Sequence, residues 1–155
     1  MRVKTDLKWD GDKVKILGKK VVNKSAFETG LIVEGQAKLL APVAHGRLAA
    51  SITTQSLTQS SGGGEDVISK PNKIGVVLVG TAVEYAPYVE FGTMAHTITA
   101  KGKGLSDGKS FFGKTVKHPG TAAQPFLRPA AGLSVGRILP LVRKLSKMIF
   151  GEYLR

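Results

Sequence analysis

The sequence predicts an α+β fold, an antiparallel sheet packed on one face by a long N-terminal helix and a C-terminal helix. Three observations lead there. Helical periodicity dominates both ends of the 155-residue chain, β-patterned segments fill the middle, and the apolar share of 42% is that of ordinary globular proteins. The length suits one domain, residues 1–155, large enough for a core and too short for two.

The first element runs from Asp12 to Leu40. Val14, Leu17, Val21, Ile32, Gly35 and Leu39 fall on one stripe at about 100° per residue, interrupted by Ser25 and Glu28. Gly18, Gly30 and Gly35 lower the intrinsic helix preference, so packing must hold this helix. Pro42 ends it, because the residue before a proline avoids the helical region. Beyond a turn at His45 and Gly46, Leu48 to Gln59 spaces apolar residues among Ser, Thr and Gln and reads as a strand with one solvated face. Ser60 to Asp66, with three consecutive glycines, is a loop or hairpin tip.

Lys73 to Thr81 (KIGVVLVGT) is the strongest strand, apolar on both faces and hence expected to be central. It should pair antiparallel with the preceding strand across the glycine tip. Glu84 to Thr93 (EYAPYVEFGT) reads as a short amphipathic helix or turn packed on the sheet. Residues 95–123 then form a flexible basic loop, Lys-, Gly-, Ser- and Thr-rich, with apolar islands at Ile98, Phe111, Phe112 and Val116. Connections of this length are usually functional. Arg128 to Leu154 is the final helix, with Ala131, Ser134, Ile138, Leu141, Leu145 and Met148 spaced by three and four and Pro140 expected to kink or restart it.

Charge is distributed unevenly. Lys and Arg number 23 against 11 Asp and Glu, a net of +12. Residues 1–95 hold 12 basic and 9 acidic side chains, and residues 96–155 hold 11 and 2, so +9 of the excess lies in the last 60 positions. Such asymmetry argues for an anionic partner surface. The absence of Cys excludes disulfides, thiolate metal sites and a cysteine nucleophile. The longest nearly apolar run, Ile74 to Val83, is about half of the roughly 20 residues a membrane-spanning helix needs. Met1 to Asp12 has no signal-peptide pattern, so a soluble protein without membrane contact is expected.

Catalytic signatures are weak. His45, His96 and His118 are scattered without metal-ligand spacing and read as exposed loop residues. Glu84 and Glu90 are the only imaginable acid/base pair, and structural salt bridging suits them better. Gly108-Lys109-Ser110 ends like a phosphate-binding loop, but the required earlier glycine is Lys103. No enzyme, cofactor or metal is expected.

Three patterns occur in one order: Ala41-Pro42-Val43 with Gly46-Arg47-Leu48 and Ser51-Ile52; Gly80-Thr81 with Tyr85-Ala86 and Tyr88-Val89-Glu90-Phe91-Gly92-Thr93; and Gln124-Pro125-Phe126-Leu127-Arg128-Pro129-Ala130. Together they resemble the neck and tail-completion (tail-component) protein family of long-tailed bacteriophages, over about residues 12–150. The resemblance implies a non-enzymatic virion protein, made in the host cytoplasm. It implies a homo-oligomeric ring at the head–tail junction, around the DNA channel, six-fold or else twelve-fold. Partners would be other head-completion and tail-tube or tail-terminator proteins. Tyr85, Tyr88, Glu90, Phe91, Phe126 and Arg128 are then the candidate oligomer interface. Core packing within one subunit is the competing reading for Phe91 and Phe126. Lys101, Lys103, Lys109, Lys114 and Lys117 would face DNA, non-specifically, or a neighbouring ring. The alternative is a free basic nucleic-acid-binding accessory protein that uses the same half without a ring.

Overall fold

A computed structural model describes residues 10–43, 46–62 and 68–153. Helix α1 (Gly11–Leu40) leads through a short helix α2 (Arg47–Ser51) into strands β1 (Thr53–Ser56) and β2 (Val77–Gly80). Helix α3 (Ala86–Phe91) follows, then β3 (His96–Thr99), β4 (Leu105–Ser106), β5 (Phe111–Gly113), β6 (Thr115–His118) and helix α4 (Leu127–Tyr153). The expected α+β arrangement is present, with α1 and α4 packed along each other. The strands form three antiparallel pairs, β1–β2, β3–β6 and β4–β5, rather than one sheet. Among the described residues no helix is long and apolar enough to cross a membrane.

Helix α1 starts where the Asp10 carboxylate accepts the Lys13 N–H at 3.1 Å, and it stops at Ala41, just before Pro42. Thirty residues make it about 45 Å long at 1.5 Å per residue. Its buried line runs through Val21, Ser25, Phe27, Gly30, Glu34 and Ala37. The stripe read from sequence therefore holds at Val21 but drifts afterwards, leaving Leu39 79% exposed. Gly30 explains the drift: a Cβ there would collide with the Thr54 and Val77 methyls, so this glycine brings the helix onto β1–β2.

The strand expected over Leu48 to Gln59 is split. Gly46 takes a left-handed φ of 74°, Ala50 N–H donates to Gly46 O at 3.0 Å, and only Thr53–Ser56 is extended. All four of those residues are buried, so the expected solvated face does not exist. The chain folding back meets part of their hydrogen-bonding capacity, while Thr53 Oγ1 and Gln55 Oε1 stay buried without a partner. Thr54 N–H donates to Ser61 Oγ at 2.8 Å, and Gln55 Nε2 donates to Ser60 Oγ at 2.7 Å. Strand β2 pairs antiparallel with β1 as expected, from Thr53↔Gly80 to Ser56↔Val77. It is not central, however: the sheet has two strands, and Ile74, Val76 and Leu78 remain partly open to solvent. His45 and residues 63–66 of the glycine tip lie outside the described residues.

The core gathers Ala37, Ala41, Leu48, Ile52, Ala86, Phe126 and Ala130, where the end of α1, α2, α3 and the start of α4 converge. Helix α4 runs unbroken through Pro140. Ser134 and Leu145 of its expected stripe are buried, whereas Met148 is largely exposed and Ala130, not Ala131, turns inward. The stretch expected as a loop over 95–123 contains four strands, forming a hairpin arm of two successive ladders.

Candidate functional site

Helix α3 is six residues long and would be marginal alone. Pro87 in its first turn presets the helical φ, and Gly92 at φ 71° ends it. What fixes it is Glu90. This side chain is buried at 4% exposure, and its carboxylate caps the start of α4, far along the chain. Oε2 accepts the Phe126 and Leu127 N–H groups at 2.7 and 3.0 Å. Oε1 accepts the Arg128 N–H at 3.2 Å and Arg128 Nε–H at 3.1 Å. A helix N-terminus presents unpaired N–H groups and a partial positive charge, so a carboxylate is its natural complement. Burial raises the Glu90 pKa, but the N–H groups of Leu127, Phe126 and Arg128 and the Arg128 side chain outweigh it and hold the carboxyl below its ordinary value.

The same contact shapes the surface above it. The Arg128 guanidinium lies 5.1 Å from the Phe91 ring centroid, a cation–π distance. Around it Tyr88 is 62%, Phe91 66% and Met94 89% exposed, and Tyr85 is partly exposed. This is a contiguous aromatic patch on a rigid, capped base. The six candidate interface residues thus separate into two layers. Tyr85, Tyr88, Phe91 and Arg128 are at the surface, while Glu90 and Phe126 lie beneath it. Phe126 is fully buried. It belongs to the core, and Glu90 meets Arg128 of its own chain rather than a neighbour's, because both complete the entry to α4.

The arm leaves the body beside this patch. Its root is clasped by a backbone bridge in which Thr93 N–H donates to Thr121 O at 2.9 Å and Thr121 N–H donates to Thr93 O at 3.1 Å. Gly92 and Gly120 flank the clasp at φ 71° and 92°, and a Cβ on either would strike backbone of the opposite segment. Strands β3 and β6 then pair from His96↔His118 to Thr99↔Thr115. All five candidate lysines are exposed along the arm: Lys101 and Lys103 before β4, Lys109 in the tip turn, Lys114 before β6 and Lys117 within it.

The tip also disposes of the phosphate-loop motif. Asp107 Oδ1 accepts the Lys109 and Ser110 N–H groups at 2.8 and 2.6 Å, so the amides that would cradle a phosphate already bind a carboxylate. Glu90 is equally unavailable as a base, since its two oxygens accept four hydrogen bonds. His96 and His118 are not scattered: they face each other across the ladder with ring centroids 5.0 Å apart. Among the described residues no three His, Cys, Asp or Glu side chains cluster as a metal site. Between patch and arm root lies a groove of about 620 Å³, walled by Tyr88, Thr93, Met94, His96, His118 and Thr121.

Sequence reasoning missed Glu34. It is buried at 7% exposure, accepting Lys38 Nζ–H at 2.6 Å and the Ser61 hydroxyl at 2.6 Å. The Glu34–Lys38 spacing of four was the available signal.

A family model described as "Bacteriophage HK97-gp10, putative tail-component" matches residues 3–92, which include the first sequence pattern and the second up to Gly92, and stop where the arm begins. No curated protein and no solved structure matches the chain.

Proposed function

This chain belongs to the HK97-gp10-like tail-component family of bacteriophages, and from that premise we propose that it assembles into a ring at the head–tail junction, around the DNA channel, and joins head to tail. Membership of a phage tail-component family implies a structural role in the virion. The observation that carries the finer reading is the aromatic patch. Tyr88, Phe91 and Met94 expose large apolar area on a base that Glu90 and α4 hold rigid. Rigid aromatic surface of this kind is enriched at subunit interfaces. A patch that meets a different surface on an identical neighbour produces a head-to-tail contact, which closes into a ring. Six-fold closure is favoured, with twelve-fold the alternative where the ring meets the head. Head-completion and tail-tube or tail-terminator proteins are the neighbours along the axis.

The arm supports a second role within the same assembly. Its five exposed lysines accompany a single carboxylate, Asp107, which suits loose, sequence-independent contact with channel DNA or an acidic neighbouring ring. Light scattering on the purified chain, with electron microscopy of virions, tests the ring. A six- or twelve-fold particle and density for the chain in the neck are expected. A chain that stays monomeric and is absent from the neck refutes the reading. Steeply salt-dependent DNA binding by the monomer, without any ring, would favour the free nucleic-acid-binding alternative.

A further inference from the structure

The arm sorts its donors and its aromatic rings into separate places. Its register pairs Thr97 with Lys117 and Thr99 with Thr115, and cross-strand partners share a face of a ribbon. All four are exposed, so this face offers three hydroxyls and an ammonium, donors suited to phosphate oxygens. The other face holds Ile98 and Val116, both half-buried. Further out, Phe111 and Phe112 are 69% and 52% exposed. Leu105 pairs with Gly113 and Ser106 with Phe111, so Phe112 is the extra residue of a bulge, a device that re-aims a side chain out of the ladder. Phe111 does not hang free: its ring fills the space in which a Cβ on Gly104 would sit, held there with most of its surface open.

We propose that the arm lies along a groove of duplex DNA and sets Phe111 and Phe112 against the base pairs, gripping DNA by stacking as well as by charge. This rests on the arm's DNA contact given above and does not need the ring. Composition selects nucleic acid over a protein partner. Protein interfaces are depleted in Lys and enriched in Arg, Tyr and Trp, whereas residues 95–123 contain five lysines and no Arg, Tyr or Trp. Their one carboxylate, Asp107, is tied through Oδ1 to the amides of its own turn. The segment also lacks Asn and Gln, which with Arg are the usual readers of base edges, so the contact is independent of sequence. Stacking is equally tolerant, because every base has a π face. Shape agrees with charge. A two-stranded ribbon is one of the elements that DNA grooves accept. From His96 to Ser106 the ribbon extends up to about 33 Å at 3.3 Å per residue, close to the roughly 34 Å of one helical turn. Apolar side chains wedged at a base step unstack it and bend the duplex by about 20–90°.

Titrating the full-length chain into a duplex of about 20 base pairs, at salt from about 50 to 200 mM, tests this. The duplex carries 2-aminopurine and an energy-transfer pair at its ends. Wild type should raise the aminopurine emission, as unstacking does, and bring the duplex ends closer. Phe111→Ser/Phe112→Ser should lose both signals and bind about tenfold more weakly or worse at every salt concentration. Its slope of log K against log salt should stay that of wild type, because the lysines remain. Phe112→Ser alone leaves the Phe111 ring on Gly104, so it keeps the test valid if the double variant disturbs the ladder; it should show the same losses in smaller measure. Serine variants that bind as wild type does, with the aminopurine silent throughout, overturn the stacking and leave the electrostatic contact standing. A preference of tenfold or more for single strands overturns the groove placement. A wild-type chain that ignores DNA at 50 mM salt yet forms rings overturns DNA as the arm's partner in favour of an acidic protein surface.

Discussion

Replacing Glu90 by Ala should strip the start of α4 of its carboxylate cap and loosen the patch above it. Loss of a helix cap costs about 1–2 kcal/mol. The Phe126 N–H, in a residue with no exposed surface, is then orphaned, which adds about 1–3 kcal/mol. The Leu127 and Arg128 donors lie nearer solvent and water can replace their partner, so a total of about 3 kcal/mol is expected. For a chain of 155 residues that is a fall of roughly 10 °C in Tm, at about 3 °C per kcal/mol. Glu90→Gln keeps the shape and one acceptor but turns an amide NH2 towards N–H donors, at about 2 kcal/mol.

Acidity supplies the sharper test. The folded Glu90 pKa lies below the ordinary value of a free glutamate, so the carboxylate's contribution is complete above that ordinary value and is lost as pH falls through the depressed one. Thermal unfolding followed by far-UV circular dichroism should show the wild type well above Glu90→Gln at pH 7. The two should converge in acid. A Gln variant within 1–2 °C of wild type at pH 7 would refute the reasoning, as would a gap that persists at every pH.

Other outcomes follow from the same geometry. Gly30→Ala should destabilise by about 1–2 kcal/mol, overpacking against Thr54 and Val77 exceeding the gain in helix propensity, whereas Gly35→Ala, with open space at its Cβ, should stabilise by up to about 1 kcal/mol; urea unfolding separates them. Gly92→Ala forces an L-residue into positive φ against the Thr121 carbonyl, and should cost at least about 2 kcal/mol and reduce amide-exchange protection at Thr93 and Thr121. Changing Lys101, Lys103, Lys109, Lys114 and Lys117 to Gln should flatten the salt dependence of DNA binding by up to about 0.9 log unit per lost phosphate contact and leave Tm within a few degrees; an unchanged slope would remove the arm from DNA contact.

The two long helices were legible because their apolar spacing survives local interruption, and Pro42 marks a real boundary, whereas the Asp10 cap went unread and the start was placed at Asp12. The antiparallel pairing of β1 with β2 was legible from the glycine-rich connection. The burial of β1 was not. Alternation rules assume that Ser, Thr and Gln seek water, yet the Gln55 amide NH2 and the Thr54 backbone N–H find partners at Ser60 and Ser61 when the chain folds back over them. Central placement of Lys73–Thr81 failed for a related reason. An apolar strand need not be buried on both faces when the free surface has other uses. At the site, the sequence marked Tyr88 for a surface role and left Phe91 between core and interface, and it did not show the role of Glu90, because its partners begin 36 residues away. Helix α4 shows the usual end drift: Ser134 and Leu145 point inward, while Met148 turns out.

The Thr93–Thr121 clasp has a consequence for engineering. It brings the two ends of the arm into direct backbone contact, so what lies between them is closed off from the core as a cartridge. Loop-closure entropy rises by only about 0.6 kcal/mol for each doubling of length. A longer hairpin, a peptide tag or a small folded module grafted between Thr99 and Thr115 should therefore leave the α1–α4 body intact. The family match ends at Gly92, at the mouth of this cartridge. Lengthening or recoding the arm there would change what the particle touches without redesigning the part that folds.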